Sequence, residues 1–185
     1  ISQEVLDEVL CANEAIKNLD HIIDITPSYS SILVHYDTEF YNESKIKQII
    51  YELLKSTKQS DVAKSSKTVE IPVDYSKGLD LKRVAKLNGL SQKEVIKIHS
   101  DKTYRVYAIG FMVGFAYLAK VDSSIATPRL DTPRSNVPKG SVAIADDQSA
   151  VYPADSAGGW NILGETEFDK FESLSVGDYV RFVEL

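Results

Sequence analysis

Several classes of protein are excluded by what this sequence has little of. Among 185 residues there is one cysteine, Cys11, so no internal disulfide can form. The three histidines are scattered and lack the spacing of metal ligands, so we predict no metal site. No apolar run approaches the ~18 residues of a membrane span, and no signal-peptide pattern opens the chain. These absences predict a cytoplasmic protein without a membrane segment.

The distribution of charge argues against a nucleic-acid partner. Hydrophobic residues make up 43% of the chain and charged residues 26%, the balance of a globular protein. The formal net charge is -6, and acidic and basic residues are interspersed. A nucleic-acid-binding protein would show a basic patch, and this sequence has none.

The first half of the chain has the pattern of an α/β unit. Apolar residues recur at helical spacing over residues 3–19. Next come an apolar run, an alternating strand, a helix, a polar linker and another strand, at 22–25, 31–36, 46–54, 56–67 and 68–73. This is the order of a ferredoxin-like unit that lacks its first strand. We predict that residues 1–76 form this domain and that the first strand lies upstream of Ile1.

The second half changes character after two short helices. Asp80 can cap the first helix, and Ser91 and Glu94 form a capping box at the start of the second. Short strand-like runs separated by Gly- and Pro-rich turns follow, at 104–109, 141–145, 160–163 and 179–183. Such a pattern is typical of a sandwich or a closed barrel, and we predict one over residues 77–185.

The densest motifs lie between His99 and Gly164. They are Gly110-Phe111, Gly114-Phe115-Ala116-Tyr117-Leu118, Thr127-Pro128-Arg129, Thr132-Pro133-Arg134, Val137-Pro138-Lys139-Gly140-Ser141, Tyr152-Pro153 and Gly158-Gly159-Trp160. In order and spacing they resemble the motifs GF-x-PGF-x-YL, TPR-x-x-TPR-x-x-VP-x-GSVAIA and YP-x-x-S-PGGW-x-x-G. These motifs characterise the family of the bacterial 5-oxoprolinase B-subunit and the sporulation-kinase inhibitor KipI, also labelled allophanate hydrolase subunit 1.

The resemblance implies an α+β chain with a ferredoxin-like domain followed by a cyclophilin-like β-barrel. It also implies a second subunit, itself built from such barrels, and a third subunit. Together these convert 5-oxoproline to glutamate at the expense of ATP. One family member instead inhibits a sporulation histidine kinase, and this is the alternative function. A peptidyl-prolyl isomerase would follow from the fold alone.

Arg129 and Arg134 are the candidate anion ligands. Each follows a proline, which fixes the backbone and reduces the entropy lost in presenting the side chain. A guanidinium group held in this way suits bidentate binding of a carboxylate such as that of 5-oxoproline. Alternatively, both arginines tie loops together by hydrogen bonds to carbonyl groups.

His99 is the candidate catalytic residue, because the family carries a histidine at this point. It would act as a general acid or base, or as an orienting group. The alternative is a favourable charge at the C-terminal end of a helix.

Four further residues are predicted to line a binding groove: Phe111, Gln148, Tyr152 and Trp160. The glycines beside the aromatic residues would let the backbone approach a ligand. Alternatively, these are turn glycines and core aromatic residues. No Walker lysine is present, so ATP is assigned to the complex and not to this chain.

The sequence departs from the family pattern near the proposed site. Val113, Ala116 and Ala157 replace prolines, and Asp146-Asp147 replaces two glycines. These changes weaken the inference that this chain binds the same substrate as the rest of the family. No nucleophile elbow or Ser-His-Asp arrangement is recognisable, so we predict no activity without partner subunits. In the kinase-inhibitor alternative, Phe111, Phe115 and Trp160 would anchor a protein partner.

Overall fold

The computed structural model describes residues 2–56 and 66–185, and the chain divides into two compact units, 1–65 and 66–185. The predicted polar linker at 56–67 lies almost entirely outside the described residues.

The first unit contains two helices and a two-stranded sheet. Its elements are α1 (Gln3–Lys17), β1 (Ile22–Ser28), β2 (Ser31–Tyr36) and α2 (Glu43–Ser56). The Ser2 hydroxyl caps α1 by accepting a hydrogen bond of 3.2 Å from the Val5 amide. β1 and β2 pair antiparallel. The helix–strand–strand–helix order predicted for this half is confirmed, and Cys11 is buried as expected of a structural thiol.

The strand predicted to end the first domain belongs to the second unit. β3 (Thr68–Val73) pairs in parallel with β11 (Tyr179–Glu184). Ile71 and Val73 are only 1% and 0% exposed and lie in the core of the second unit. The predicted boundary at residue 76 is therefore corrected to residue 65. An alternating pattern identifies a strand, but it does not identify the sheet that the strand joins.

A nearly closed seven-stranded barrel forms the second unit. After β3 come α3 (Leu81–Leu87), α4 (Gln92–Ser100), β4 (Thr103–Ile109), β5 (Ala116–Ala119), β6 (Arg134–Val137), β7 (Ser141–Ala145), β8 (Gln148–Val151), β9 (Ser156–Gly158), β10 (Asn161–Glu165) and β11. The strand order is β10-β7-β8-β5-β4-β11-β3. The two edges meet where the Asp74 amide donates to the Glu165 carbonyl at 2.8 Å and the reverse bond spans 3.1 Å. The predicted α+β fold with a barrel is thus confirmed.

The predicted capping box is also present. The Glu94 amide donates to the Ser91 hydroxyl at 3.2 Å, and the Ser91 amide donates to the Glu94 carboxylate at 2.7 Å. Asp80 behaves differently, because its side chain makes no capping hydrogen bond to α3.

The barrel has apolar side chains on both faces. Every one of its seven strands contributes to the interior core, for example through Val142 of β7 and Val151 of β8. Alternate residues point the other way and form a second cluster, called here the outer-face cluster: Phe115, Val137, Ala143, Ala145, Ala150, Tyr152, Trp160 and Ile162. Val137 comes from β6, which pairs only with β9 among the described strands. The predicted site motifs converge on this outer face.

Asp146, one of the departures from the family pattern, has a backbone φ of 52°, in the left-handed region. Its amide donates to the Thr127 carbonyl at 2.8 Å, which holds that conformation in place. Since glycine adopts this region without strain, Asp146→Gly is expected to raise the free energy of unfolding by about 0.5–1 kcal/mol. Urea denaturation measures the change. Asp147→Gly is the matched control, and it is expected to be neutral or destabilising. Equal effects at both positions would contradict the assignment of strain to Asp146.

Candidate functional site

The loop that carries Arg129 is held on both sides by hydrogen bonds. The Asn88 side chain donates to the buried Thr127 hydroxyl at 3.0 Å. On the next residue, the Pro128 carbonyl accepts a bond of 2.9 Å from the Asn161 side-chain amide. The Leu130 amide donates to the Gly159 carbonyl at 2.7 Å. The backbone around Arg129 is therefore fixed before any ligand arrives, which lowers the entropy cost of binding.

The Arg129 side chain itself is exposed. Its guanidinium carbon lies 5.7 Å from the centroid of the Trp160 ring, within the range of a cation–π contact. Among the described residues no carboxylate lies within ion-pairing distance of Arg129. This arginine is thus positioned on an aromatic surface with its hydrogen-bond donors available.

Arg134 is only partly available. Its Nη2 atom donates to Asp80 Oδ1 at 2.8 Å, and Asp80 Oδ2 accepts from the Ile162 amide at 2.8 Å. The Arg134 side chain is 27% exposed. Its Nη1 atom is buried and has no hydrogen-bond partner among the described residues. One side of this guanidinium group is therefore held by a carboxylate, and the other side keeps a buried donor that a ligand oxygen would satisfy.

Aromatic rings form the floor beside the two arginines. Phe115 is at the centre, with ring centroids 5.3 Å from Tyr152, 5.8 Å from Trp160 and 4.9 Å from Tyr117, all edge-to-face. Phe111 contacts the same ring at 5.4 Å. Phe115, Tyr152 and Trp160 are nearly inaccessible, whereas Phe111 is 65% exposed. The aromatic residues support the site from below, and Phe111 lies at its rim.

Tyr152 adds a buried hydroxyl group to the aromatic floor. Burial raises the pKa of this phenol, while the Trp160 amide and the charges of Arg129 and Arg134 oppose that rise. Because the pKa remains above its ordinary value of 10.0, the phenol is protonated near neutral pH. It remains a neutral part of the aromatic floor, beneath the surface that is open to a ligand.

Gln148 shares the face but not the immediate neighbourhood of Tyr152. It is the first residue of β8, half-buried, and strand alternation places it on the side of Ala150 and Tyr152. Four residues along a strand separate it from Tyr152 by ~13 Å. Gln148 is thus at the opposite end of the outer-face cluster from Tyr152.

His99 lies in the barrel interior and not in this site. It is 0% exposed, and its ring stacks on Phe182 with centroids 4.6 Å apart. Nδ1 is 2.7 Å from the Tyr75 hydroxyl, and Nε2 is 3.0 Å from the Ser149 hydroxyl. Both ring nitrogens are engaged in the barrel interior, so the structure does not bring His99 together with Arg129 and Arg134, and its catalytic role stays a prediction.

Burial also lowers the pKa of His99 from 6.5 to about 3, so the ring is neutral and is not a charge at the end of α4. Between these two pKa values the unfolded chain binds a proton that the folded chain does not. The free energy of unfolding is therefore expected to fall as the pH drops from 6.5, by at most about 1.4 kcal/mol per pH unit from this residue. Urea titrations between pH 7 and pH 4 should show a shallower slope for His99→Gln. Parallel slopes would contradict the buried neutral histidine.

The sequence did not predict three residues of this region. They are Asp80, which pairs with Arg134, and also Arg83 and Asn161. Asn161 is 0% exposed, and its side-chain amide donates to the Pro128 and Ile144 carbonyls at 2.9 and 3.2 Å. Arg83 donates to the Asn161 side-chain oxygen. The position of Asn161, directly after the Gly-Gly-Trp motif, was the signal in the sequence that could have identified it. Arg83 had none, because it lies in the ordinary amphipathic pattern of α3.

The described part of the chain has neither a metal-ligand cluster nor a membrane-spanning helix. No group of three or more His, Cys, Asp or Glu side chains there is arranged to hold a metal ion. None of the helices described is long and apolar enough to cross a lipid bilayer.

Comparison with solved structures supports the fold. A crystal structure of the protein TTHA0988 superposes with a TM-score of 0.86 at 35% identity, covering 100% of this chain and 38% of that one. For the conserved uncharacterized protein PH0987 from Pyrococcus horikoshii the TM-score is 0.62 at 39% identity, with 89% of that chain covered. The K. lactis urea amidolyase has a TM-score of 0.75 at 14% identity over 14% of its length, which is evidence of a shared fold alone.

Sequence comparison identifies the family. A Bacillus subtilis protein named as the B-subunit of 5-oxoprolinase is 37% identical over 182 residues, covering 88% of this chain and 75% of the relative. A protein of the same name from Escherichia coli O157:H7 is 42% identical over 127 residues, covering 64% and 58%. The model of the family described as carboxyltransferase domain, subdomain C and D, matches residues 1–176. The chain therefore belongs to this carboxyltransferase-domain family, together with the relatives named as 5-oxoprolinase B-subunits.

Proposed function

We propose that this chain is a subunit of a cytoplasmic, ATP-dependent hydrolase that opens 5-oxoproline to glutamate, and that it acts together with a second and a third subunit. The observation that carries the proposal is the exposed Arg129 side chain over Trp160, on a loop whose backbone is held by hydrogen bonds. Relatives named as 5-oxoprolinase B-subunits, at 37–42% identity, support the same conclusion.

The ligand is a small ring that carries one carboxylate and one amide. Arg129 and the unpartnered Nη1 of Arg134 would bind the carboxylate oxygens by charge-assisted hydrogen bonds. The flat ring would lie against the exposed ring of Phe111, which packs edge-to-face on the buried Phe115. These residues bind and orient, while the reacting groups and the use of ATP belong to the assembled complex.

The second candidate function is inhibition of a sporulation-type histidine kinase. The exposed Phe111 and Val113 side chains, at 65% and 76%, favour a protein partner at this rim. Phe115 and Trp160, the other two predicted anchors, are buried at 2% and 5% exposure and have little surface to offer. Of the three predicted anchors, only Phe111 thus offers exposed surface to a protein partner. We therefore rank kinase inhibition second.

Reconstitution tests the two candidates. The chain is co-expressed with the second and third subunits from the same genome, and glutamate formation from 5-oxoproline is measured with and without ATP. We expect turnover that requires ATP and disappears when this chain is omitted. A complex that forms but does not turn over any 5-oxoproline, or turnover without this chain, would overturn the proposal. Inhibition of kinase autophosphorylation by the purified chain would then favour the second candidate.

A further inference from the structure

Three guanidinium groups converge on three consecutive residues at the start of β10. Arg129 lies over the Trp160 ring, and Arg83 donates to the Asn161 side chain. Arg134 reaches the Ile162 amide through the carboxylate of Asp80. Asn161 also donates to the carbonyl of Pro128, the residue before Arg129. Asp80, the partner of Arg134, is three positions before Arg83 at the start of α3, so these contacts bring the three arginines to one region. We call them the three-arginine cluster.

The positive charge of this cluster is only partly compensated. Asp80 is the one carboxylate that pairs with it among the described residues, and its oxygens are already shared between Arg134 and the Ile162 amide. No described carboxylate lies within ion-pairing distance of Arg83 or Arg129. Within the described part of the chain, two positive charges thus remain without a carboxylate partner.

A second observation points to a ligand at this place. The Nη1 atom of Arg134 is buried without a hydrogen-bond partner among the described residues, and buried donors are almost always satisfied in folded proteins. Arg134 lies opposite Gly158 in the β6–β9 pair, and Arg129 contacts the Trp160 ring two residues further on, so the two arginines flank one Gly-Gly-Trp segment. An anion there would satisfy the Nη1 donor and the excess charge together.

We propose that the three-arginine cluster is a dianion site, which binds a dicarboxylate or a phosphate in preference to a monocarboxylate. Arg83 is the residue that this adds to the site. The proposal rests on the function proposed above and deepens it. When water adds across the C–N bond of 5-oxoproline, a ligand with one carboxylate becomes one with two carboxylates and an ammonium group. A site with two uncompensated positive charges stabilises the charge that develops as the ring opens.

Isothermal titration calorimetry on the purified chain tests this at one fixed, low ionic strength, since salt screens such contacts. The probes are inorganic phosphate, glutarate as the dicarboxylate, and 5-oxoproline as the monocarboxylate. We expect phosphate or glutarate to bind at least about tenfold more tightly than 5-oxoproline. Whichever of the two binds more tightly identifies the phosphate or the dicarboxylate as the better ligand.

Variants of α3 assign the preference to Arg83. Arg83→Gln keeps a donor for Asn161 but loses the charge, and it should lower the affinity for the dianions about tenfold. Its affinity for 5-oxoproline should change less than about twofold. Arg83→Lys keeps the charge and should retain the preference for dianions. Lys82→Gln, the same change of charge on the neighbouring exposed residue, is the control and should have no effect.

Equal affinities for all three probes would overturn the dianion site, as would an Arg83→Gln variant that is folded and retains the preference. Both outcomes are independent of the reconstituted assay. Turnover without a dianion preference would leave the proposed function standing and remove this inference. A dianion preference without turnover would leave this inference standing and remove the proposed function.

Discussion

Replacing Arg129 with alanine is expected to lower the kcat/KM of the reconstituted complex for 5-oxoproline by about 100-fold. Loss of two charge-assisted hydrogen bonds to a carboxylate removes about 2–3 kcal/mol of binding energy, and 1.4 kcal/mol corresponds to a factor of ten. The thermal midpoint of the chain should stay within about 2 °C of wild type, because the Arg129 side chain is exposed and its loop is held by backbone and Asn161 contacts. Steady-state glutamate formation measures the first quantity and calorimetry the second.

Two further variants separate shape from charge at this position. Arg129→Lys keeps the charge but loses the planar fork and its contact with Trp160, so it should recover only part of the activity. Lys139→Ala removes one exposed charge from the same unit and should behave as wild type. If Lys139→Ala and Arg129→Ala lose activity equally, the effect is one of net charge and the carboxylate site is wrong.

Asp80→Ala is expected to lower the free energy of unfolding by about 3–5 kcal/mol, the largest effect on stability among the changes discussed here. Asp80 is 6% exposed and accepts hydrogen bonds from the Arg134 side chain and the Ile162 amide. Its removal leaves a partly buried guanidinium group and a buried amide without a partner. Urea denaturation of the wild type and the variant at pH 7 gives the difference.

An exposed ion pair is the control for this prediction. Arg181 and Glu70 form a salt bridge in which both side chains are about half exposed. Glu70→Ala should therefore cost no more than about 1 kcal/mol. The double variant Asp80→Ala with Arg134→Met, which removes both charges, should be more stable than Asp80→Ala alone. If the double variant is the less stable of the two, the uncompensated arginine is not the cause of the loss.

The motifs predicted the surface that carries the site, but not the state of each side chain within it. Arg129 and Trp160 lie together as the sequence indicated. Arg134 is half engaged with Asp80, a residue 54 positions earlier, which no local pattern reveals. His99 lies in the last turn of α4 and does not follow the helix as predicted, and α4 packs its ring into the barrel interior, away from the groove. Spacing along the chain fixes which residues are near in sequence, while burial depends on contacts that form only in the folded barrel.

Local sequence signals predicted the strands and turns of the fold, but they did not predict which distant strands pair. Turn residues and alternating runs predicted a barrel in the second unit, because these local signals are the same in any sheet. The placement of β3 depended on pairing with β11, a strand at the far end of the chain, and the alternation of Thr68–Val73 suits either sheet. Parallel pairing between distant segments leaves no mark within the strand itself.

One measurement tests the central claim most directly, that the outer face around Arg129 is the ligand site. Trp160 is the only tryptophan in the chain, and the guanidinium group of Arg129 lies over its ring. Adding 5-oxoproline should therefore change the tryptophan fluorescence of the purified chain in a saturable way, and Arg129→Ala should abolish this change. A saturable response that is unaltered in Arg129→Ala, or no response although calorimetry detects 5-oxoproline binding, would place the ligand elsewhere and contradict the account.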